Sequence, residues 1–274
     1  MLGPAAGLGS AAAWGAGDFA GGLAARRTPV LVVVLLSQLL GLVAIVALAL
    51  VIREPMPEVS NWLWGGAAGL SGIVGICALY GSLAAGRMGI AAPVSGVIAA
   101  ALPIAYAWGR LGTPAPLGLG GMALALFGII LVSAPKAERP PARVLGLAML
   151  SGVGFAGFFI LMDESSDEAF LWTIAAARIS GALALLILVL MMRPGWGQPG
   201  LTVVLASMGD TVGNAFFLVA VRLARLDVAV VLSSLYPAIT VLLARIVLKE
   251  KLTPMQAWGA GVMLVAIPLI AWGA

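Results

Sequence analysis

The sequence predicts an all-α integral membrane protein with ten transmembrane helices, arranged as two inverted five-helix repeats. Three observations predict this fold class. Of the 274 residues, 62% are hydrophobic and only 9% are charged, whereas a soluble domain is usually about 45–50% apolar and about 25% charged. Long apolar stretches recur along the whole chain, and similar residues recur at a nearly constant distance between its two halves.

The apolar stretches are the first basis for this prediction. A helix needs about 20 mostly apolar residues to cross the hydrocarbon core of a bilayer. Such stretches are continuous rather than alternating, which predicts helices and argues against the strands of a membrane barrel. In chain order they lie at approximately 4–24, 30–52, 62–85, 89–109, 115–134, 143–162, 169–192, 201–221, 228–248 and 254–273.

Turn-forming and charged residues separate these stretches. Glycine and proline punctuate loops, and turn-forming residues, charged residues or both occur in the breaks at 26–29, 53–61, 87, 112–114, 135–141, 163–168, 194–199, 225–227 and 249–251. The first stretch lacks the short apolar core and small-residue cleavage site of a signal peptide, so it is counted as the first helix. Three prolines, Pro93, Pro103 and Pro237, fall inside predicted spans, where they can break or kink a helix.

The second half of the chain repeats the first. Residues 41–53 (GLVAIVALALVIR) match residues 181–193 (GALALLILVLMMR) at five of thirteen positions, 140 residues apart. Further matches at offsets of 138 to 141 include Arg87 with Arg225 and Ser95 with Ser233. Chance agreement among Ala, Gly, Leu and Val is the alternative, but matching arginines are harder to explain by composition. We therefore predict a first repeat at 1–134, a linker at 135–142 and a second repeat at 143–274.

An odd number of helices in each repeat has a geometric consequence. The second repeat must enter the bilayer upside down relative to the first. Inverted repeats around a central site are a common architecture of secondary transporters.

Lysine and arginine predict the orientation, because cytoplasmic loops carry an excess of both. One side of the predicted bundle holds Arg53, Arg110, Arg222 and Arg225. The other side holds Arg26, Arg27, Arg87, Lys136, Arg139, Arg143, Arg193, Arg245, Lys249 and Lys251. We expect the second, richer group to face the cytoplasm, which places both termini outside.

Residue types that are missing or rare exclude several function classes. The chain has no histidine and one cysteine, Cys77, which excludes histidine-ligated zinc hydrolases, Ser-His catalysis, cysteine-ligated clusters and an intrachain disulfide. No phosphate-binding P-loop is present. We expect no enzymatic activity, no cofactor and no metal. The basic residues are scattered rather than clustered, so we also expect no nucleic-acid partner.

The end of the chain resembles a known family. Ser233 to Pro237, then Leu248 to Pro254, and then Gly259 and Gly261 look like the closing helices of an EamA-type repeat. The Trp14-Gly15 pair resembles the opening of the same family, and the ten-helix duplicated layout covers the whole chain. The chain thus resembles the EamA-type members of the drug/metabolite transporter (DMT) superfamily.

This resemblance implies export of small metabolites, amino acids or drugs across the inner, or plasma, membrane of a prokaryote. It transfers no set of binding residues. The first repeat also departs from the pattern, because Arg110-Leu111-Gly112-Thr113 lacks the glutamate that Glu250 supplies in the second.

Three ionisable residues lie deep in predicted spans: Asp18, Arg178 and Asp210. A charge at the bilayer centre costs about 2.5–3.5 kcal/mol on insertion scales, so each of them is a functional candidate. In one hypothesis Arg178 anchors a substrate carboxylate or phosphate, and Asp210 or Asp18 carries a coupling proton. In the other, Arg178 and Asp210 form a structural ion pair. The two are compatible if substrate or proton competes for the pair.

Polar and aromatic companions complete the candidate site. Asp210 and Asn214 are four residues apart, as are Tyr236 and Thr240, so each pair shares a helix face. The predicted substrate-binding set is Arg178, Gln38, Tyr80, Asn214, Ser233 and Tyr236, with aromatic faces for a cation or flat substrate from Trp14, Tyr80 and Phe216 or Phe217. The alternative for each polar member is a hydrogen bond between helices.

These observations predict a secondary transporter and exporter that works by alternating access around a central cavity, with coupling to protons. Its partners would be a small-molecule substrate and the lipid bilayer, and it would act as a monomer or homodimer. The alternative is a lipid-facing flippase or membrane scaffold without coupled solute transport. An intramembrane enzyme is a third hypothesis, which the lack of histidine and of clustered deep carboxylates argues against.

Overall fold

The computed structural model describes residues 2–84, 88–133, 142–165, 169–249 and 253–273, with side chains in these ranges except 80–93, 133, 237, 241, 244 and 245. All elements in these ranges are helices. They are α1 (Leu2–Ala24), α2 (Val30–Ile52), α3 (Val59–Ala84), α4 (Met88–Leu111), α5 (Pro116–Ser133), α6 (Ala142–Asp163), α7 (Phe170–Met192), α8 (Leu201–Leu223), α9 (Leu226–Ser233), α10 (Tyr236–Leu248) and α11 (Pro254–Gly273). The all-helical prediction is confirmed for the described residues.

Seven of these helices are long and apolar enough to cross a membrane: α2, α6, α7, α8, α11 and the parts of α3 and α4 at Val59–Leu79 and Val94–Leu111. The described chain is therefore a multi-pass membrane protein, with fewer clear spans than the ten predicted. In the first predicted span, α1 has the length but is rich in glycine and contains Asp18, which lower its hydropathy. In the fifth, the apolar part of α5 is shorter, at Pro116–Val132.

The ninth predicted span, 228–248, is not one helix but two. Helix α9 ends at Ser233 and α10 begins at Tyr236. Pro237 has no backbone N–H to donate to the carbonyl of Ser233, so the helical ladder is interrupted at this point. The prediction that Pro237 breaks a span is confirmed, whereas α4 continues through Pro93 and Pro103.

Helices of the first half pack mainly against helices of the second half. The main pairs are α1 with α8, α2 with α7, α3 with α6 and α5 with α11, and α4 lies against α6 and α9. Small residues permit this close approach. A Cβ on Gly17 of α1 would lie 3.0 Å from the backbone nitrogen of Asp210 on α8, so these two backbones touch directly.

The helix ends match between the halves. Arg53 after α2 and Arg193 after α7 both adopt the left-handed conformation, with φ of 55° and 45°. Gly112 after α4 and Lys249 after α10 do the same, with φ of 73° and 56°. A left-handed residue commonly terminates a helix, so α2 and α7 end in the same way, as do α4 and α10.

The two ends of the bundle are named here by the first loop that each carries. At the loop-25 end, the backbone N–H of Gln198 donates to the carbonyl of Arg27 at 3.0 Å, which joins the loop after α7 to the loop after α1. At the opposite loop-54 end, Glu54 accepts hydrogen bonds from the backbone of Leu171 and Trp172 at the start of α7. These two ends orient the cavity described next.

Candidate functional site

A cavity of about 240 Å³ lies between the two halves at the centre of the bundle. Its wall combines aromatic rings with a few polar side chains. Both helices of the pairs α1–α8, α2–α7 and α3–α6 contribute residues to this wall. Lining residues such as Gly21, Val33, Leu79 and Ala206 extend it towards the loop-25 end. The polar and charged side chains in its wall are Asp18, Ser37, Gln38, Arg178, Asp210, Asn214, Ser234 and Tyr236.

Arg178 on α7 is held by three neighbours. Its Nη1 lies 2.6 Å from Oδ2 of Asp210 and donates to Oε1 of Gln38 at 2.5 Å. Its Nη2 donates to Oγ1 of Thr211 at 3.1 Å. The Arg178 side chain is 2% exposed and that of Asp210 is 44% exposed, so the guanidinium is enclosed and the carboxylate reaches the cavity. The ion pair expected as one of the two alternatives is present.

Asp18 occupies a different environment. It is exposed and lines the cavity, and no described side chain forms an ion pair or hydrogen bond with it. The carboxylate of Asp210 is near enough to repel it. The described charged groups of the cavity wall are two carboxylates and one guanidinium, and Asp18 is left as the unpaired charge because Arg178 is engaged by Asp210.

Aromatic side chains line the same cavity as this carboxylate. Trp14 lies one turn before Asp18 on the same face of α1. The ring of Tyr236 meets Trp14 edge to face, with centroids 6.5 Å apart. Tyr236 also interacts electrostatically with Asp18. Phe159 and Phe217 stack behind Trp14 at 5.9 and 5.7 Å. The arrangement is a carboxylate at the rim of an aromatic wall.

Most of the predicted site residues meet at this cavity. Gln38, Asn214 and Tyr236 line it together with Arg178, Asp210 and Asp18. Ser233 does not. It is fully buried and its hydroxyl donates to the carbonyl of Gly7 at 3.4 Å, while its neighbour Ser234 lines the cavity. The side chain of Tyr80 lies outside the described residues.

Sequence reasoning missed Thr211 and the phenylalanines of α6. Thr211 is 5% exposed and follows Asp210 directly, so its position beside a deep carboxylate was the available signal. Phe155, Phe158 and Phe159 line the cavity, but a phenylalanine in an apolar helix gives no sign of which way it faces. In the described residues, no group of three or more Cys, Asp or Glu side chains could hold a metal ion.

Polar bridges close the loop-54 end of the bundle. Glu164 after α6 accepts from both Arg110 and Tyr106 of α4. A second cluster forms around the fully buried Asp227, which accepts from Trp108 Nε1 at 3.0 Å and from Arg225 Nη2 at 2.9 Å.

Two arginines extend these bridges to backbone groups. Arg225 also donates to the carbonyl of Gly112 at 2.5 Å, and Arg222 donates to the carbonyl of Ser165 at 3.1 Å. The ends of α4, α6 and α8 and the start of α9 are thus tied together on the side away from the cavity opening.

Comparisons with known proteins agree with this architecture. A crystal structure of a protein with 16% sequence identity superposes with a TM-score of 0.79, covering 98% of this chain and 96% of that one. At that identity, the likeness establishes the fold alone. A comparison with curated proteins gave no match.

The family comparison is more specific. The model of the EamA-like transporter family matches residues 143–272, which is the second half of the chain, from the start of α6 to the last turn of α11. This half includes Arg178, Asp210 and Asn214 of the cavity wall. Residues 143–272 thus match the EamA-like transporter family, of the DMT superfamily, in a chain whose described helices make it a multi-pass membrane protein.

Proposed function

We propose that the chain is a secondary transporter that exports a small solute through the central cavity by alternating access. The observation that carries the proposal is the cavity itself, which is polar at its centre and extends towards one end of the bundle while hydrogen-bonded bridges close the other. A carrier of this kind must alternate between two such states. Support for the transport class comes from the EamA-like transporter match.

We infer that the two halves act as inverted repeats, at 1–134 and 143–274, joined by the linker 135–142. The pairing of helices between halves and the matching helix ends support this. A specific contact also recurs: Gly17 of α1 packs against Gly209 of α8, and Gly157 of α6 packs against Ser71 of α3. Residues 17 and 157 are 140 positions apart and residues 71 and 209 are 138 apart, so the two contacts are a pair that a two-fold relation between the halves would produce.

The Lys/Arg distribution supports a cytoplasmic loop-25 end. In the sequence ten lysines and arginines fall at this end and four at the other. Of the described residues, Arg26, Arg27, Arg143, Arg193 and Lys249 lie at the loop-25 end, and Arg53, Arg110, Arg222 and Arg225 lie at the loop-54 end. The cavity then opens towards the cytoplasm in this structure, as a prokaryotic inner-membrane exporter would open to receive its substrate.

We propose that Asp210 and Asp18 carry the coupling proton and that Gln38, Asn214 and Tyr236 contact substrate. Arg178 lines the same cavity and is paired with Asp210. Protonation of Asp210 would weaken that bridge and release the guanidinium, either to a substrate anion or to Gln38 and Thr211 alone. The charged or titratable groups among the described residues of the cavity wall are Asp18, Asp210, Arg178 and Tyr236. One proton taken up here would therefore change the net charge of the cavity substantially.

Purified protein in liposomes tests the proposal. An imposed pH gradient should drive flux of a solute drawn from panels of amino acids, metabolites and drugs. Asp210→Asn should abolish gradient-driven flux while the protein remains folded, and Glu58→Gln, an equal change of charge outside the cavity, should not. Lipid exchange between leaflets without any solute flux would contradict the proposal and favour a flippase.

A further inference from the structure

We propose that the cavity selects organic cations carrying an aromatic or apolar group, and that Asp18 with the rings of Trp14 and Tyr236 forms the cation-binding subsite. This inference rests on the proposed transport function and names its substrate class. Its basis is the arrangement of charge and aromatic surface in the cavity.

The first step is the state of Arg178. A substrate anion needs a free cationic donor, and Arg178 is the one described basic side chain in the cavity wall. Its two terminal nitrogens are engaged by Asp210, Gln38 and Thr211, and the side chain is 2% exposed. In this inward-opening state the guanidinium offers an incoming anion little surface.

The second step is the state of Asp18. Its side chain faces the cavity with no basic partner among the described residues, because the one described guanidinium in the wall is paired with Asp210. A carboxylate at membrane depth requires a partner or water. An organic cation entering the cavity supplies that partner, so the charge balance favours a cationic over an anionic substrate.

The third step is the aromatic wall. Trp14 and Tyr236 meet nearly at right angles, with an interplanar angle of 85°, and both line the same cavity as Asp18. Cations bind over the faces of tryptophan and tyrosine, and recognition of quaternary ammonium groups by such cages is a frequent use of this interaction. Two rings and a carboxylate at one place therefore specify an alkylammonium-type group better than a compact, strongly hydrated ion.

The size of the cavity limits the substrate. An engineered cavity of about 150 Å³ holds benzene. The cavity here, about 240 Å³, therefore accommodates one aromatic ring with a small cationic group. Phe155 and Phe158 provide the apolar surface for that ring. Asp18 can both carry the coupling proton and bind the cation, because the carboxylate becomes negatively charged once it has released its proton.

The test compares two soluble probes of similar size and opposite charge, phenyltrimethylammonium and benzenesulfonate. Binding to the purified full-length protein in detergent is measured by calorimetry and by the rise in thermal stability. We expect phenyltrimethylammonium to bind and benzenesulfonate not to bind. Asp18→Asn should raise the Kd of the cation by about tenfold or more, since losing a partly desolvated charge partner costs at least one such factor.

Three further variants complete the design. Asp18→Glu should retain binding, Trp14→Leu should weaken it by removing the aromatic ring while leaving an apolar side chain, and Glu58→Gln serves as the charge control outside the cavity. If Asp18→Asn fails to fold, the inference is tested by the binding of the two probes to the unaltered protein and by the binding of phenyltrimethylammonium to Trp14→Leu. Equal or tighter binding of benzenesulfonate, no binding of the cation, or a cation Kd unchanged in folded Asp18→Asn would each overturn the inference.

Failure of this inference is distinguishable from failure of the proposed function. Binding in detergent needs no gradient, whereas transport does. Gradient-driven flux of an anionic or neutral solute would leave the transporter intact and overturn only the cation subsite. Cation binding without flux of any solute would instead contradict transport.

Discussion

The guanidinium of Arg178 donates a hydrogen bond to the side-chain oxygen of Gln38 across the interface between α7 and α2, with 2.5 Å between Nη1 and Oε1. These residues stand 140 positions apart, the offset that relates residues 41–53 to residues 181–193. Two equivalent positions that touch each other must lie near the axis relating the two halves. In the proposed pair of inverted repeats, the charged cluster of the cavity therefore lies at the centre, where a carrier needs its substrate site to be reachable from both sides.

We predict that the Arg178–Asp210 pair stabilises the fold. Arg178→Gln should lower the free energy of unfolding by about 1.5–3 kcal/mol, the range for hydrogen bonds to charged groups. Asp210→Asn should cost less, because the Asp210 side chain is 44% exposed and water compensates part of its loss. Combining both changes should cost less than the sum of the single effects, since the residues share one interaction. Thermal or denaturant unfolding in detergent measures all three, and strict additivity would argue against a coupled pair.

Gly41 provides a steric test of the same cluster. A Cβ at this position of α2 would lie 2.5 Å from Thr211 Oγ1 and 3.0 Å from Arg178 Cζ. Gly41→Ala should therefore displace the guanidinium and destabilise the protein by about 1–3 kcal/mol, the usual cost of overpacking, and should slow transport. Gly22→Ala is the matched control, because nothing lies within 4 Å of a Cβ there. A neutral Gly41→Ala would mean that the cluster has room to relax.

Glu54 holds the start of α7 from another part of the chain. Its carboxylate accepts from the backbone N–H groups of Leu171 and Trp172 at 3.0 and 3.1 Å. A negative charge at a helix N-terminus is stabilising. Glu54→Ala should thus lower the unfolding free energy by about 0.5–2 kcal/mol, the range found for lost helix caps, and Glu54→Gln by less. Glu58→Ala on the same loop should have little effect, and equal losses in both would exclude a specific cap.

The buried carboxylate of Asp227 should be the most sensitive element of the closed end. Asp227→Asn removes a charged acceptor shared by Trp108 and Arg225, so we expect a loss of about 1–3 kcal/mol, the penalty for an unsatisfied buried group. The hydrogen bond to Asp227 raises the pKa of the Arg225 guanidinium above its usual value. Because the pKa of Arg225 is higher in the folded protein, the guanidinium is charged at every pH up to the ordinary pKa of arginine. The bridge is lost only when the pH rises through the raised pKa of the folded state.

The arginine side of this bridge should therefore not titrate in the pH range of a transport assay. The contribution of Arg225, measured as the effect of Arg225→Gln on unfolding free energy, should be constant from about pH 6 to pH 9, well below an arginine pKa. A contribution that faded within this range would show that the Arg225–Asp227 bridge does not act as the structure indicates.

By itself, the sequence determined the class of the protein and the identity of its charged centre. Hydrophobicity and length are summed over many residues, so membrane helices were predictable within a few residues of their ends. The cost of burying charge singled out Asp18, Arg178 and Asp210, because a charge is retained at that depth only with a partner, water or a function. The odd helix number and the offset of about 140 residues suggested the arrangement around them.

Only the tertiary structure decided how these residues relate. It paired Arg178 with Asp210, Gln38 and Thr211, left Asp18 facing the cavity beside Trp14 and Tyr236, and placed Ser233 in a helix interface. It also divided the ninth span at Ser234–Leu235 and brought Glu54 to the start of α7. These relations join residues distant in the chain, and they depend on helix rotation and depth. Periodicity within one apolar helix carries little information on either, since lipid-facing and helix-facing sides are almost equally apolar.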